Sequence, residues 1–278
     1  MDIKKVKSWD KNSKKYRLAK WLYLNFIFYF YNIDSGHIPR FMPRVIGGQE
    51  LDADLARGLI SPADGVVIDV GAERGEFSYF FYFAGFRVYA IEPEQKNIVY
   101  LWLHHWFRVL FGRFRIYRLA CGETSGMARL HVSDLSFRHS LEQSKYASGK
   151  VQEVNQIRLA DFILNKNLKK IALIKIDTEG FDLPILKGLF NTTTILPKAI
   201  MFETEQGNAR ELIALVKQYG YKYFRIIARW PELEGVSAQK RICVYDGEDP
   251  EIYLSDNNNI ICFREDFRSL YPIRLNNI

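Results

Sequence analysis

From residue 66 onward, short apolar runs alternate with segments whose apolar positions recur every three or four residues. Runs rich in Val and Ile predict buried strands, and the three-to-four spacing predicts helices. Alternating strands and helices are typical of an α/β fold with a mostly parallel sheet covered on both faces. We predict strands at 66–70, 86–91, 114–120, 127–132, 151–159, 171–177, 199–205, 221–227 and 260–264, a loop at 134–150, and a polar loop between the strands at 221–227 and 260–264. We predict helices at 76–84, 98–109, 160–166, 183–190 and 208–219.

The first 50 residues have a different pattern. Ten of the eleven residues in 21–31 are apolar or aromatic, and this run is too short to cross a bilayer, which takes about 20 apolar residues. Two interpretations stay open: a helix packed on the main domain, or an interfacial anchor on an anionic membrane surface. Glycines and prolines then follow between residues 36 and 48. We therefore predict a helical extension and linker at 1–50 and one folded domain at 51–278.

The net charge of +7 is concentrated at the beginning of the chain. Residues 1–20 hold eight Lys or Arg and two Asp, so they contribute +6 of the total. The remaining chain is nearly neutral, whereas a protein that binds polynucleotides usually carries a basic channel on its folded body. The charge distribution therefore indicates that nucleic acid is not a partner.

Cysteine usage points to a reducing compartment. Cys121, Cys243 and Cys262 are widely separated, they form no C-x-x-C motif, and their number is odd. We therefore expect a cytoplasmic protein, with peripheral contact at the inner face of the membrane if residues 1–31 act as the anchor.

The stretch from Val66 to Ala84 predicts a strand, a glycine turn and a helix, which is the first half of a nucleotide-binding α/β unit. A dinucleotide turn would read G-x-G-x-x-G, with its middle glycine admitting a pyrophosphate. Here Gly71 and Gly75 are four positions apart, and Glu73 would place a carboxylate beside that pyrophosphate. The turn therefore favours S-adenosylmethionine, which carries an amino group and a sulfonium, over NAD.

Acids stand at the ends of four predicted strands. They are Asp69, Glu92, Asp177 and Glu203. In a doubly wound sheet, ligands bind beyond the carboxyl ends of the strands, so these acids predict a site at one edge of the sheet. Glu92 follows Asp69 by 23 residues, at the end of the next strand, where an acid can bind both ribose hydroxyls of a nucleoside.

Several blocks of the sequence resemble the FkbM-type methyltransferases in order and spacing. The resemblance covers about residues 66–264 and implies a Rossmann-like class I methyltransferase fold, with a seven-stranded, mostly parallel sheet whose last strand is antiparallel. It also implies O-methylation of sugars or of polyketide-type hydroxyls. The blocks are Asp69-Val70-Gly71-Ala72-x-x-Gly75, Ile91-Glu92-Pro93, Ala120-Cys121-Gly122-Glu123, Leu173 to Gly180 with Asp182, Leu186-Lys187-Gly188, Phe202-Glu203 and Asn259 to Arg264.

The resemblance also implies roles for individual residues. In S-adenosylmethionine binding, the turn would hold the methionine part, Glu92 with the adjoining Pro93 would hold the ribose, and Ala120 and Cys121 would border the adenine. The turn residues concerned are Asp69, Gly71, Ala72, Glu73 and Gly75. This chain departs from the family pattern at Glu73, Thr178 and Phe181. The resemblance therefore does not define the detailed shape of its acceptor pocket.

Methyl transfer to a hydroxyl needs a group that orients the oxygen and takes its proton. We predict Asp177 and Glu179 for this role, although Asp177 could instead cap the following turn. Glu203 and His139 are further candidates, the latter in the irregular loop where the resemblance implies a substrate-binding element. A divalent cation that acidifies a sugar diol is an alternative, without an assigned ligand set.

Together these observations predict an S-adenosylmethionine-dependent O-methyltransferase that acts on a saccharide, as part of a glycan, polysaccharide or glycolipid. The acceptor would then be a saccharide or a glycolipid. Two alternatives stay open at this point: an O-methyltransferase of a polyketide or other natural product, and a non-catalytic binding protein with the same fold. The oligomeric state is not addressed by the sequence pattern.

Overall fold

A computed structural model describes residues 53, 55–133, 147–178, 180–191, 195–204, 207–229, 242–250 and 258–266. The described helices are α1 (Glu76–Phe83), α2 (Gln95–Leu110), α3 (Leu159–Asn165), α4 (Asp182–Phe190) and α5 (Ala209–Gln218). The described strands are β1 (Val66–Val70), β2 (Val88–Ile91), β3 (Phe114–Tyr117), β4 (Ala120–Gly122), β5 (Gly126–Ser133), β6 (Ala147–Arg158), β7 (Ile171–Ile176), β8 (Ala199–Thr204), β9 (Tyr223–Arg229), β10 (Ile242–Gly247) and β11 (Asn258–Phe263).

The main sheet has the strand order β10-β9-β11-β8-β7-β1-β2-β3. Neighbouring pairs from β8 to β3 are parallel, and β11 is antiparallel to both β8 and β9. The predicted doubly wound α/β architecture, with an antiparallel last strand, is therefore confirmed. The chain reverses its direction of travel across the sheet between β1 and β7, which is where such sheets bind ligands.

Two apolar clusters form the core, one on each face of the sheet. Alternate side chains of β1 divide between them, because successive residues of a strand point to opposite faces: Ile68 joins one cluster and Val67 the other. The helix α1 packs with Val67 through Phe77 and Phe81. Side chains of α3, α4 and α5 pack with Ile68 on the opposite face.

The sheet differs from the prediction in the number of its strands. It has eight strands among the described residues, because Ile242–Gly247 pairs antiparallel with β9 at the edge. We predicted a polar loop between the strands at 221–227 and 260–264, and that prediction is wrong at 242–247. The run Ile242-Cys243-Val244-Tyr245 has strand propensity, but an antiparallel edge partner lies outside the α/β repeat on which the prediction relied.

A second sheet of three strands, in the order β4-β6-β5, was also not predicted. The predicted strand 114–120 is divided, since β3 ends at Tyr117 and Ala120 begins β4, which pairs with β6 instead of β2. The predicted loop 134–150 is wrong for residues 147–150, which extend β6 opposite β5. Residues 134–146 lie outside the described chain, as do residues 1–52.

No helix among the described residues is both long enough and apolar enough to span a bilayer.

Candidate active site

The turn after β1 lies directly against the end of β7. Gly71 has a φ of 75°, and a Cβ atom at this position would overlap the backbone carbonyl oxygen of Asp177. Only glycine avoids both the left-handed strain and this overlap. The amide N–H groups of Gly71 and Ala72 donate to the carbonyl oxygen of Ile91, over 3.0 and 3.1 Å. The turn is therefore held between the end of β7 and the end of β2, the two strands that flank β1.

Glu73 adopts a left-handed conformation, with a φ of 50°, which is uncommon for a residue other than glycine. Its backbone N–H donates to Oε2 of Glu92 over 2.9 Å, and this bond compensates for the strained conformation. Burial raises the pKa of the Glu73 carboxyl to about 6, although Arg74 lies nearby and acts in the opposite direction. The predicted carboxylate at the middle of the turn is thus present and partly buried.

Glu92 is 4% exposed, and its carboxylate binds the backbone of the turn after β1 and the backbone that follows β2. Besides Glu73, its carboxylate accepts from the backbone N–H of Glu94 over 2.9 Å and from Nδ2 of Asn97 over 3.4 Å. Burial raises the pKa of Glu92 to about 7, against the opposing effect of these donors. A carboxylate offers about four acceptor positions, so three protein donors leave roughly one for a ribose hydroxyl.

A buried lysine joins the ends of β1 and β7. Nζ of Lys175 lies 3.5 Å from Oδ1 of Asp69 and 3.1 Å from Oδ2 of Asp177. Asp69 is fully buried, and its other oxygen accepts from Oγ of Ser78 over 2.6 Å. Burial alone would lower the pKa of Lys175, but the two carboxylates outweigh it and hold the pKa above its ordinary value. Lys175 therefore stays charged.

Asp182, at the beginning of α4, connects the loop after β7 to β8. Its Oδ1 accepts from the backbone N–H and Oγ1 of Thr178, over 3.1 and 2.6 Å. Its Oδ2 accepts from the backbone N–H of Glu203 over 3.2 Å. Burial raises the pKa of Asp182 to about 7. Because Asp182 is only 1% exposed and both oxygens are engaged, it positions this loop and does not present itself to a substrate.

Of the predicted site residues, the structure brings together the turn from Asp69 to Gly75, Glu92 and Asp177. Pro93 follows Glu92 and is half-buried, and Ala120 and Cys121 are buried in β4. Burial raises the pKa of the Cys121 thiol to about 12, so the thiol is neutral and serves as packing. Glu203 is half-buried at the end of β8 and joins the group through its backbone N–H. Glu179 and His139 lie outside the described residues.

His105 lies beneath the turn and serves as a packing residue. Its ring stacks on Phe114 with a centroid distance of 4.8 Å, and a side chain on Gly75 would meet its Nε2. Burial lowers the pKa of His105 to about 3, so the imidazole is neutral. This agrees with the core spacing of His105 along α2.

The divalent cation alternative gains no support from the described residues, which contain no group of three or more His, Cys, Asp or Glu side chains that could hold a metal ion. At the end of β7, the partner of Asp177 is the Lys175 ammonium instead of a second carboxylate.

The sequence reasoning missed Lys175, Ser78 and the positioning role of Asp182. Lys175 did carry a signal, because it is a lysine inside the strand Ile171–Ile176, whose six residues are all buried. A lysine in such a strand needs a buried acid as its partner. The carboxylates of Asp69 and Asp177 were the available acids, each at a strand end in the sequence.

Comparison with known proteins finds a match to one family model. The family model described as the methyltransferase FkbM domain matches residues 69–223. The family match and the strand order agree with the predicted Rossmann-like class I methyltransferase fold, with eight strands in place of seven. No curated protein sequence matches the chain.

Three solved structures are similar to this chain at low sequence identity. A methyltransferase FkbM from Methylobacillus flagellatus KT is 15% identical, over 72% of this chain and 44% of its own length, with a TM-score of 0.40. A SAM-dependent methyltransferase from Agrobacterium tumefaciens is 11% identical, over 80% and 63%, with a TM-score of 0.45. TrmK of M. capricolum, solved with S-adenosyl-homocysteine, is 12% identical, over 78% and 69%, with a TM-score of 0.44. This chain thus spans less than half of the first of these proteins.

Proposed function

The chain belongs to the FkbM methyltransferase family, an S-adenosylmethionine-dependent family, and we propose that it transfers the methyl group to a hydroxyl of a saccharide. The saccharide would be part of a glycan, a polysaccharide or a glycolipid. The observation that carries the proposal is Asp177, a partly exposed carboxylate that the Lys175 ammonium positions at the end of β7.

The described residues fit S-adenosylmethionine. Oδ1 of Asp69 is buried and accepts no hydrogen bond from the described residues, although Lys175 lies 3.5 Å away. The absence of a Cβ at Gly71 lets the turn pack directly on the backbone of Asp177, and the carboxylates around the turn suit a cationic ligand. Asp69 and the turn would hold the methionine part, Glu92 would accept from a ribose hydroxyl, and Ala120 and Cys121 would border the adenine. The cofactor supplies the electrophilic methyl group.

The proposed work of this chain is to place the acceptor and to receive its proton. The side chain of Asp177 is 21% exposed, and Lys175 holds one of its oxygens at 3.1 Å. A carboxylate positioned in this way can accept a hydrogen bond from the acceptor hydroxyl and take its proton during attack. Positioning the two reactants can contribute about 7–11 kcal/mol, and a base contributes about 10²–10⁴-fold in rate.

A saccharide suits this site better than a polynucleotide. Outside residues 1–20 the chain carries a net charge of only +1, whereas polynucleotide binding gains its affinity from many phosphate contacts. Sugar hydroxyls are neutral donors, and carboxylates such as Asp177 and Glu203 are suitable acceptors for them. Glu179 and His139 remain proposed contributors to the acceptor side.

The test is transfer of a labelled methyl group from S-adenosylmethionine to a panel of oligosaccharides, with polyketide alcohols as the competing class. We expect label in the saccharides, at an ether oxygen when the product is examined by NMR. Label in the polyketide alcohols alone would overturn the saccharide proposal.

Asp177→Asn should bind S-adenosylmethionine with wild-type affinity by calorimetry and lose about 10²–10⁴-fold in turnover. The matched control is Asp161→Asn on α3, which also removes an ion-paired carboxylate, at 2.8 Å from Arg158 at the end of β6, and should keep full turnover. Full turnover of Asp177→Asn would show that the proton goes to another group, and Glu179→Gln and Glu203→Gln would then be compared in the same assay.

A further inference from the structure

Glu73 lies in the turn after β1, between the end of β2 and the end of β7. Its backbone N–H donates to Oε2 of Glu92 over 2.9 Å. Two residues earlier, Gly71 packs on the backbone of Asp177, where a Cβ atom would overlap the carbonyl oxygen. The turn therefore brings Glu73 next to both strand ends. In the proposed function, Glu92 would hold the ribose and Asp177 would receive the proton of the acceptor.

The backbone of Glu73 is held in a conformation that does not favour glutamate. Its φ of 50° is left-handed, and asparagine or glycine adopts this conformation with less strain. The bond to Glu92 holds it, and so does the bond from the Gly75 N–H to the carbonyl oxygen of Ala72 over 2.7 Å. Strained residues that are held by their surroundings cluster at ligand sites. The backbone alone does not explain a glutamate here, so its carboxylate has to be considered.

The charge of the Glu73 carboxylate is only partly balanced by its neighbour Arg74. Nε of Arg74 lies 3.9 Å from Oε1 of Glu73, near the outer limit of an ion pair. The side chain of Arg74 is 45% exposed, and its guanidinium lies over the Tyr100 ring at 5.3 Å. Solvent screens such an exposed cation strongly, whereas the Glu73 side chain is only 28% exposed. The carboxylate therefore keeps an attraction for a cation at the turn.

The Lys175 ammonium does not neutralise Glu73 either, because other carboxylates share it. Nζ of Lys175 lies 3.5 Å from Oδ1 of Asp69 and 3.1 Å from Oδ2 of Asp177. The charges of Lys175 and Asp177 also act on Glu73. Three carboxylates thus interact with the Lys175 ammonium. The surroundings of the turn have an excess of negative charge, and a cationic ligand would reduce it.

S-adenosylmethionine and its product S-adenosylhomocysteine differ in one charge. Both carry an ammonium group, a carboxylate, a ribose and an adenine. When the methyl group is transferred, the bonding electron pair stays on sulfur, so the sulfonium becomes a neutral thioether. In both molecules the sulfur joins the ribose to the methionine chain, and the methyl group must face the acceptor. With the ribose at Glu92 and the acceptor at Asp177, this connectivity assigns the sulfur to the part of the turn that carries Glu73.

We infer that Glu73 is a specificity-determining residue whose carboxylate raises the affinity of the site for the sulfonium cofactor relative to the neutral product. The attraction ends when the methyl group has left, so Glu73 favours the exchange of used cofactor for new cofactor. This inference rests on the cofactor part of the proposed function and does not depend on a saccharide as the acceptor.

The test is titration calorimetry of the full chain with S-adenosylmethionine and S-adenosylhomocysteine. Burial raises the pKa of the Glu73 carboxyl to about 6 against the effect of Arg74, so the group is ionised at about pH 7.5. In Glu73→Gln, the ratio of the affinity for S-adenosylmethionine to that for S-adenosylhomocysteine should fall about tenfold. Any attraction of Glu73 for the ammonium group cancels in this ratio, because both ligands carry that group.

Sinefungin provides a second comparison, since a carbon that bears an amine replaces its sulfonium. Its affinity relative to S-adenosylhomocysteine should also fall in Glu73→Gln, because the positive charge is at a similar place. The same fall is expected in Glu73→Asn, although asparagine adopts the left-handed conformation more readily and should leave the urea midpoint of unfolding at or above that of wild type. A fall in a variant of undiminished stability cannot result from a damaged fold.

The matched control is Glu76→Gln. Glu76 is also a half-buried carboxylate near Arg74, and it lies three residues later, in the first turn of α1. Its change should leave the ratio of affinities within about twofold of wild type.

An unchanged ratio in Glu73→Gln would overturn the inference and leave the cofactor assignment in place. A fall that disappears in the Arg74→Gln background would also overturn it, because Glu73 would then act only by neutralising Arg74. Wild-type protein that binds neither ligand would overturn the inference together with the cofactor part of the proposed function. The expected fall in a protein that methylates only polyketide alcohols would support the inference and remove the saccharide proposal.

Discussion

The carboxylates at the ends of β2 and β7 face the same site, yet the protein treats them in opposite ways. Glu92, after β2, is 4% exposed and binds two backbone N–H groups and the Asn97 amide. Asp177, after β7, has a side chain that is 21% exposed and lies 3.1 Å from the Lys175 ammonium. The first carboxylate thus holds backbone in place, and the second is partly open to solvent. In the proposed function, Glu92 would belong to the cofactor side of the site and Asp177 to its acceptor side.

Lys175 and Gly71 connect the two sides. Lys175 contacts both Asp69 on β1 and Asp177 on β7, and Gly71 allows the β1 turn to approach the backbone of Asp177. The carboxylate proposed for the acceptor side is therefore positioned by the same elements that form the glycine turn after β1. Changes at Lys175 or Gly71 should therefore affect both sides, whereas changes at Glu92 should affect the cofactor side alone.

Gly71→Ala should have the largest effect. The new Cβ would overlap the Asp177 carbonyl oxygen in a conformation with φ of 75°, and we expect destabilisation by about 3 kcal/mol or more and loss of cofactor binding. Urea unfolding and calorimetry with S-adenosylmethionine measure the two effects.

The control for this change is Gly112→Ala, which has the same φ of 75° and no atom within 4 Å of the new Cβ. It should cost only the left-handed strain, about 1–2 kcal/mol, and bind cofactor normally. Equal destabilisation by the two variants would mean that the approach of the turn to β7 does not matter.

Lys175→Met should destabilise the protein by about 3–5 kcal/mol, because it leaves the fully buried Asp69 without its counter-charge. The free energy of unfolding is the measurement. Lys187→Met, which breaks the exposed pair with Glu211 at 3.3 Å, should change it by about 1 kcal/mol at most. Similar values for both variants would show that Asp69 does not depend on the lysine.

Glu92→Gln should destabilise the protein by about 1–3 kcal/mol and weaken S-adenosylmethionine binding by about tenfold. Its two oxygens accept from different backbone N–H groups, so the amide nitrogen must face one of these donors. Glu94→Gln is the control, because the bond from the backbone N–H of Asn97 needs only one side-chain oxygen, which glutamine keeps. An intact cofactor affinity in Glu92→Gln would remove Glu92 from the ribose site.

The pH dependence of stability should be the smallest effect when it is expressed per pH unit, at most about 1.4 kcal/mol for each group that titrates. Burial raises the pKa of Glu92 from 4.5 to about 7 and that of Asp182 from 3.8 to about 7. Between about pH 4.5 and 7 the folded protein therefore binds more protons than the unfolded chain, so its stability falls as the pH rises and levels off above about pH 7. Urea unfolding across this range measures the slope.

Asp182→Asn should reduce that slope but not abolish it, since Asp182 no longer titrates while Glu92 and Glu73, with their raised pKa values of about 7 and 6, still do. His105 acts in the opposite direction, because its folded pKa of about 3 lies below the ordinary value of 6.5, so it offsets part of the slope below about pH 6.5. Asp64 does not interfere, because its pKa is lowered below 3.8 beside Lys198 and its contribution is lost only at more acidic pH. A stability that rises between about pH 5 and 7 would contradict the assignment of both groups.

Local pattern was sufficient for the central part of the fold and for much of the site. The strand at Val66–Val70, the glycine turn and the helix after it depend on contiguous residues, and they occur as predicted. Asp69, Glu92 and Asp177 were placed at one edge of the sheet because parallel strands end there together. The acid at each strand end could therefore be predicted without knowing which strands pair.

The errors concern pairings between distant segments. Ile242–Gly247 becomes a strand by pairing with β9, and Ala120–Gly122 leaves the main sheet to pair with β6. Periodicity within one segment does not report which partner lies beside it, since strand pairing depends on register and packing against neighbours. For this reason the predicted number of strands in the main sheet was wrong, and the second sheet was not predicted.

The sequence by itself determined the α/β alternation, the glycine turn and the set of acids, because these follow from residue type and local spacing. Only the tertiary structure decided how each acid is used. It placed Lys175 between Asp69 and Asp177, and it filled most of the acceptor positions of Glu92 with backbone donors. Charge pairing and burial depend on groups that are far apart in the chain, and folding alone brings them together.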